Sequence, residues 1–343
     1  MTGIDVIREK YRKVKGKTIA VVYIFEGDNS SGFEHFYVWK GKILTQWMNA
    51  IDELHCMPLI LDVRTFVDKA INGTLPHIDY VLNMNSGTYD LSSMALVPST
   101  CSSLGIPCIP CSAVSIVTGE NKTISNHIAK SIGLNIPQNL DQCDPKGIFR
   151  PVSLGNSMGV TRGTNQDYEK GIYQEFISGY DITTPVVYNA VTNRMELFPT
   201  VMYLPDNEDL DWFYGEKEKQ TRTGIKFKIV QLDPKTHDKY RELADALVVQ
   251  TFCRIDARVK CSEAALYHHA SKQDLLFDDI YFVEINVMPT IRDKNSFCYS
   301  FNSIDSADLH YPCIEAQKQI MGTVNINSFL LASSMLSFAK TMY

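Results

Sequence analysis

Residues 254–256 (Arg-Ile-Asp) and residues 281–287 (Tyr-Phe-Val-Glu-Ile-Asn-Val) carry the pattern that decides how this chain is read. Both runs have the β-branched and aromatic character of strands, and in a strand residues two apart share a face. Arg254 and Asp256 therefore project together, as do Glu284 and Asn286. If the two strands pair, all four meet on one patch. Two carboxylates and an amide oxygen are hard, oxygen-only donors of the kind that hold Mg²⁺ beside phosphate groups. A solvated sheet face with a chance Arg–Glu pair is the plain alternative. Four polar side chains set into otherwise apolar strands favour the site.

Working outward, the first third alternates strand and helix signals. Residues 18–25 (TIAVVYIF) form a β-branched and aromatic run suited to a buried parallel strand, and Leu44, Trp47, Met48, Ile51 and Leu54 recur at helical spacing. Residues 58–63 and 78–84 read as further strands, and residues 106–111 (IPCIPC) as an edge or connection. This alternation predicts an α/β unit with a doubly wound parallel sheet. Beyond it a helix is expected over residues 122–132 with Gly133 as its stop, a strand over 147–152, a turn over 153–160, and a strand pair over 172–177 and 182–188. Residues 203–222 read as a long polar loop, residues 238–253 as a helix, and residues 325–340 as one amphipathic helix. The central and C-terminal parts are thus expected to be α+β.

The whole chain has 343 residues with 33 Lys+Arg against 39 Asp+Glu, a formal charge of −6. Length alone predicts two or three domains. The acidic balance argues against a nucleic-acid partner, which requires clustered cations. No apolar run is long enough to span a membrane, and the charged start lacks the apolar core of a signal segment, so a cytoplasmic location is expected. Nine scattered cysteines fit reduced, buried thiols rather than a disulfide framework.

Several weaker signals accompany the strand motifs. Residues 153–159 (SLGNSMG) can form a turn whose backbone N–H groups face phosphate oxygens, although a hairpin explains the same letters. Residues 174–181 (QEFISGYD) offer backbone groups and an acidic side chain after a strand, and again a hairpin suffices. Cys108-x-x-Cys111 reads as a structural turn and His268-His269 as an exposed hairpin. Glu26, Asp28, Glu34, Arg292 and Lys294 are the charges expected near a substrate carrying both an ammonium and a carboxylate.

In chain order these segments resemble the ATP-grasp superfamily, and within it the D-alanine–D-alanine ligase-like carboxylate–amine ligases. The resemblance spans residues from about 17 to 300 and implies three domains: an N-terminal substrate unit (1–118), a central lid (119–200) and a C-terminal unit with the metal site (201–343). It assigns nucleotide contacts to Lys122, Arg150, Gly155, Asn156, Ser157, Gly159, Gln174, Glu175, Ile177, Asp181 and Lys217, with Lys219 as the second candidate for the loop lysine. Arg150 stands where the family has lysine, which keeps the charge but changes its shape. Asp256, Glu284 and Asn286 become the metal ligands for Mg²⁺, expected as two ions with Mn²⁺ as a substitute, and Arg254 the catalytic cation that steadies the oxyanion. Glu34, Thr290 and Arg292 are the substrate candidates.

Three departures accompany the match. The family's first glycine loop becomes residues 26–34, its His-Gly motif becomes residues 83–90, and the glycine after the metal motif becomes Thr290. Nucleotide and metal positions are thus largely kept while both amino-acid positions are rewritten. The resemblance therefore implies an ATP-dependent ligase that joins an amino acid or similar carboxylate to an amine through an acyl phosphate, with substrates other than two D-alanines. Small-molecule substrates and a homodimer are the implied partners. The rival readings are loading of an amino acid onto a carrier protein and a nucleotide-binding module without catalysis.

Overall fold

Strand β1 (Thr18–Tyr23) alternates its side chains between two separate apolar clusters. Ile19 and Val21 pack with Trp47 and Ile51, while Ala20 and Val22 pack with Phe66 and Val97. A strand covered on both faces must be apolar throughout, which explains its unbroken hydrophobic run. In this computed structural model the described residues are 3–25, 41–87, 90–140, 144–155, 157–163, 171–207, 209–215, 218, 223–261, 275–304, 318, 320, 322 and 325–339. Parallel partners β2 (Met57–Asp62) and β3 (Tyr80–Asn83) flank β1, and β4 (Cys108–Ile109) completes the order β2-β1-β3-β4. Helices α2 (Gly41–Glu53), α3 (Val63–Ile71) and α4 (Leu91–Leu104) alternate with these strands, giving the expected α/β unit. Helix α1 (Gly3–Val14), absent from the expected elements, precedes it.

Two short helices, α5 (Ala113–Gly119) and α6 (Lys122–Ser131), lead to a small sheet of β5 (Gly147–Pro151), β6 (Thr161–Arg162) and β7 (Gly171–Glu175). The Asn121 side chain accepts from the N–H groups of Thr123 and Ile124 and so starts α6. The main sheet runs β11 (Ile225–Val230), β10 (Thr200–Pro205), β8 (Gly179–Asn189), β12 (Phe252–Lys260), β13 (Ile280–Asn286), and β9 (Arg194–Leu197) pairs with β8. Strands β8 and β9, which lie inside the expected 119–200 unit, therefore hydrogen-bond into the sheet that carries Arg254, Asp256, Glu284 and Asn286.

Three expectations are corrected. Residues 203–205 complete strand β10 rather than starting the loop expected over 203–222, because they pair with β11. The helix expected over 238–253 is α7 (Pro234–Ala246); Asp233 caps its start, and residues from Phe252 onward belong to β12. Helix α8 (Ser296–Asn302) follows strand β13 in the chain, and the last helix, α9 (Ile326–Phe338), is not amphipathic. Residues 326–336 of α9 are buried on every side. Its polar residues fit there because their hydroxyls find acceptors: Ser333 donates to the Tyr188 carbonyl and Ser334 to the Leu330 carbonyl. Among the described residues no helix is long and apolar enough to cross a membrane.

Candidate active site

One face of the main sheet carries the polar residues. In register, Arg254 lies opposite Asn286, and Asp256 opposite Glu284. The convergence expected from the period of two is present. A β-bulge follows Asp256, and it leaves Val283 unmatched in β13. The Val283 carbonyl accepts from Arg150 Nη1 at 2.8 Å, while Arg150 Nη2 donates to Gln174 Oε1 at 2.6 Å. Gln174 Nε2 in turn donates to the Pro137 carbonyl and to Asn139 Oδ1, both at 3.1 Å. Burial lowers the Arg150 pKa to about 10, against the opposing pull of Glu284, so the guanidinium stays charged at neutral pH.

Asp256 is the centre of the patch. Its Oδ1 accepts from Arg254 Nε (2.9 Å) and Thr183 Oγ1 (2.5 Å), and its Oδ2 from Arg254 Nη2 (2.7 Å) and Asn286 Nδ2 (2.8 Å). Burial works to lower the Arg254 pKa, but the bidentate Asp256 pair overrides it and raises the value. Glu284 faces Lys122 Nζ at 3.3 Å, and the same ammonium donates to the Leu154 carbonyl at 2.8 Å. Lys122 thus ties α6 to β13 and to the turn over residues 153–159. Within that turn Ser157 and Gly159 have φ of 60° and 69°, and a Cβ on Gly159 would meet Pro151 Cγ at 2.9 Å. Ser157 Oγ donates to the Tyr214 carbonyl, bringing residues 209–215 over the turn.

These groups lie at a cleft of about 1370 Å³ between the small sheet and the main sheet. Of the residues singled out from the sequence, Lys122, Arg150, Gly155, Ser157, Gln174, Glu175, Ile177, Asp181, Arg254, Asp256, Glu284, Asn286, Thr290 and Arg292 all face it. Gly159 shapes the turn without lining the cleft. Glu26, Asp28, Glu34, Asn156, Lys217, Lys219, His268 and His269 lie outside the described residues. Cys108 and Cys111 are buried free thiols, and burial raises the Cys111 pKa. Among the described residues no three His, Cys, Asp or Glu form a metal cluster. The two carboxylates with one amide suit instead a hard cation that shares its coordination with phosphate. Asp256 and Glu284 stand directly across two strands, an arrangement that is unfavourable without counter-charge.

Three groups at the cleft were not singled out. Arg258 is buried on β12, two residues beyond Asp256 on the same face. It donates to the Ile177 carbonyl (2.7 Å), the Gly179 carbonyl (2.7 Å), the Trp212 carbonyl (3.0 Å) and Asp181 Oδ1 (2.8 Å). Asp181 Oδ2 accepts from the Tyr214 N–H at 2.7 Å, so this carboxylate anchors the segment over the turn. Glu120, two residues before Lys122, accepts from the Val287 N–H at 2.8 Å. Burial, reinforced by Glu284, pushes its pKa up to about 7. The third is an aromatic ledge of Tyr203, Tyr214, Phe227 and Tyr299.

No protein-family model and no curated protein sequence matches this chain. Solved structures do. D-alanine–D-alanine ligase from Bacillus anthracis complexed with ATP superposes with a TM-score of 0.61, covering 95% of this chain and 98% of that one at 14% identity. A second structure of a D-alanine–D-alanine ligase from that organism gives 0.60, with 95% and 99% covered at 14% identity. The VanG D-Ala:D-Ser ligase from Enterococcus faecalis gives 0.55, with 94% and 99% covered at 14% identity. The chain has the ATP-grasp fold. In the ATP-grasp fold formed here, the cleft lies between the small sheet β6-β5-β7 and the main sheet, with Lys122 and Arg150 on one side and Asp256 and Glu284 on the other.

Proposed function

We propose that this chain is an ATP-dependent carboxylate–amine ligase. The observation that supports it most is the pairing of Arg254–Asp256 with Glu284–Asn286 on one sheet face, with Lys122 and Arg150 in the same cleft. In the first step a substrate carboxylate oxygen attacks the γ-phosphorus of ATP; the new O–P bond forms, the bridging P–O bond breaks and ADP leaves. A neutral amine nitrogen then attacks the acyl-phosphate carbon. The C–N bond forms, the C–O bond to phosphate breaks, and the proton shed by nitrogen leaves with inorganic phosphate.

The roles of the chain's own groups follow from their positions. Lys122 and Arg150 hold phosphate oxygens and offset their charge. Arg254, oriented by Asp256, steadies the oxyanion of the tetrahedral intermediate. Asp256, Glu284 and Asn286 would hold Mg²⁺, which supplies further charge neutralisation at the phosphates. Asp256 already accepts four hydrogen bonds, so binding a cation requires Asn286 to turn its amide and present Oδ1 in place of Nδ2. Residues 209–215, anchored by Asp181 and Ser157, exclude water that would hydrolyse the acyl phosphate.

Release of ADP from Mg-ATP in the presence of paired amino acids, with the condensation product identified by mass, tests this reading. Glu284→Gln should lower turnover on the order of 10²–10³-fold, the usual size of losing one preorganised electrostatic group. A folded protein that binds ATP but releases no ADP with any pair would leave the second reading, a nucleotide-binding module without catalysis. Arg150 favours that alternative, since part of its guanidinium is engaged by Val283 and Gln174.

A further inference from the structure

The cleft extends beyond the carboxylate patch to an apolar end whose chemistry differs from the phosphate side. Strand β11 pairs with β10 so that Phe227 lies directly opposite Tyr203. Residues two apart share a face, and Ile225 therefore sits beside Phe227 at the cleft wall. The rings form a ladder: Tyr203 meets Phe227 edge-on with centroids 5.2 Å apart, and Phe227 meets Tyr299 edge-on at 5.4 Å. Tyr214 stacks on Tyr203 at 4.7 Å. Tyr299 comes from α8 and is 40% exposed, with its hydroxyl donating to the Phe227 carbonyl at 3.2 Å.

The ledge adjoins the reacting centre. Tyr203 lies close enough to Arg254 and Asp256 for both charges to act on its hydroxyl. Just before α8 in the chain, Thr290, Arg292 and Lys294 line the same cleft, and Asn295 Nδ2 holds the Thr290 carbonyl at 2.7 Å. Flat apolar surface next to two cations matches a ligand with a large apolar group and a carboxylate. An amino acid no larger than alanine or serine leaves Ile225, Phe227 and Tyr299 uncovered.

We propose that one of the two substrates is an amino acid with an aromatic or bulky apolar side chain, whose ring lies on Phe227 and Tyr299 and whose carboxylate meets Arg292 and Lys294. The assignment rests on the ligase reading for what happens to that amino acid, but its binding is separable.

The test is calorimetric binding of both enantiomers of phenylalanine and alanine, and of phenethylamine, to the full chain saturated with Mg²⁺ and a non-hydrolysable ATP analogue. One enantiomer of phenylalanine should bind at least tenfold more tightly than alanine, and more tightly than phenethylamine, which lacks the carboxylate. Tyr299→Ala, at a half-exposed position, and Phe227→Ala should each remove most of that preference while circular dichroism stays unchanged. Equal affinity for alanine and phenylalanine, no binding of either, or a preference that survives both substitutions overturns the proposal. Failure of the ligase reading looks different: phenylalanine still binds with the expected preference, but no ADP is released.

Discussion

Arg258 offers the sharpest test of how the cleft is held together. Its guanidinium, buried on β12, serves three backbone carbonyls and Asp181 at once. Those partners come from three segments: the linker at Ile177, the start of β8 at Gly179, and residues 209–215 through Trp212. Arg258→Ala strands the Asp181 carboxylate in a partly buried site. Breaking a buried pair by removing one partner costs about 3–5 kcal/mol. Much of that is the uncompensated charge, so Asp181→Ala in the same background should recover part of it. The double variant is then expected to fall short of the sum of the singles by about 1–3 kcal/mol. Because the described residues form three sheets, the readout is local: hydrogen exchange at the Tyr214 N–H, which donates to Asp181 Oδ2 at 2.7 Å. A local loss of about 3 kcal/mol corresponds to roughly 100-fold faster exchange there. Unchanged exchange in Arg258→Ala, or strict additivity in the cycle, would refute the view that Arg258 and Asp181 act as one clamp.

Further expectations concern Glu120 and Gly179. The Glu120 pKa is raised from 4.5 to about 7, so the folded state binds this proton more tightly than the unfolded chain. That contribution is fully present below about pH 4.5 and is lost as pH rises through 7. At 1.36 kcal/mol per tenfold in proton affinity it amounts to about 3 kcal/mol. Glu120→Gln should therefore gain stability relative to the parent between pH 5 and 8, seen as a widening difference in thermal midpoint, and a flat difference would contradict the burial argument. Gly179 has φ of 144°, and a Cβ there would meet the Val259 carbonyl oxygen at 1.9 Å. Gly179→Ala should lower stability by roughly 2–4 kcal/mol through the β8–β12 junction, and an unchanged melting temperature would show that the junction yields freely.

What could be read from the sequence depended on how local its signal was. β1 was legible because burial on both faces forces a continuous apolar run. Arg254, Asp256, Glu284 and Asn286 were legible because a period of two fixes a shared face before any partner is known. Arg258 continues the same period, but a cation near the end of a strand also looks like a solvent-facing terminus, and only the fold brings Ile177, Asp181 and Trp212 to it. Tyr203 was hidden for a related reason. Its neighbours after residue 205 are polar and charged, and its ring acquires meaning only opposite Phe227, through the β10–β11 pairing. Residues 325–340 read as an amphipathic helix, whereas acceptors on β8 and within α9 itself satisfy Ser333 and Ser334 in the core.

The resemblance brings the cations Lys122, Arg150, Lys217 and Arg254 to the nucleotide cleft, and the structure adds the carboxylates that line it. Among the described residues six cationic side chains line it: Lys122, Arg150, Arg254, Arg258, Arg292 and Lys294. Six acidic ones line it too: Asp90, Glu120, Glu175, Asp181, Asp256 and Glu284. Three of the cations contact three of these carboxylates: Lys122 with Glu284, Arg254 with Asp256, Arg258 with Asp181. The described part of the lining is close to balance and so adds little net attraction to a nucleotide that carries about four negative charges at neutral pH, and near-contact Coulomb terms are too large to leave unmatched. Against that described lining, two divalent cations would bring the nucleotide to neutrality, whereas one would leave an excess of two negative charges. Binding of a non-hydrolysable ATP analogue, followed by calorimetry at fixed ionic strength, should therefore keep tightening as free Mg²⁺ rises beyond one equivalent per nucleotide. Asp256→Asn and Glu284→Gln should each weaken that second dependence. An affinity that saturates at one equivalent, and that neither substitution alters, would mean that the balance is met instead by cations from the chain beyond the described residues.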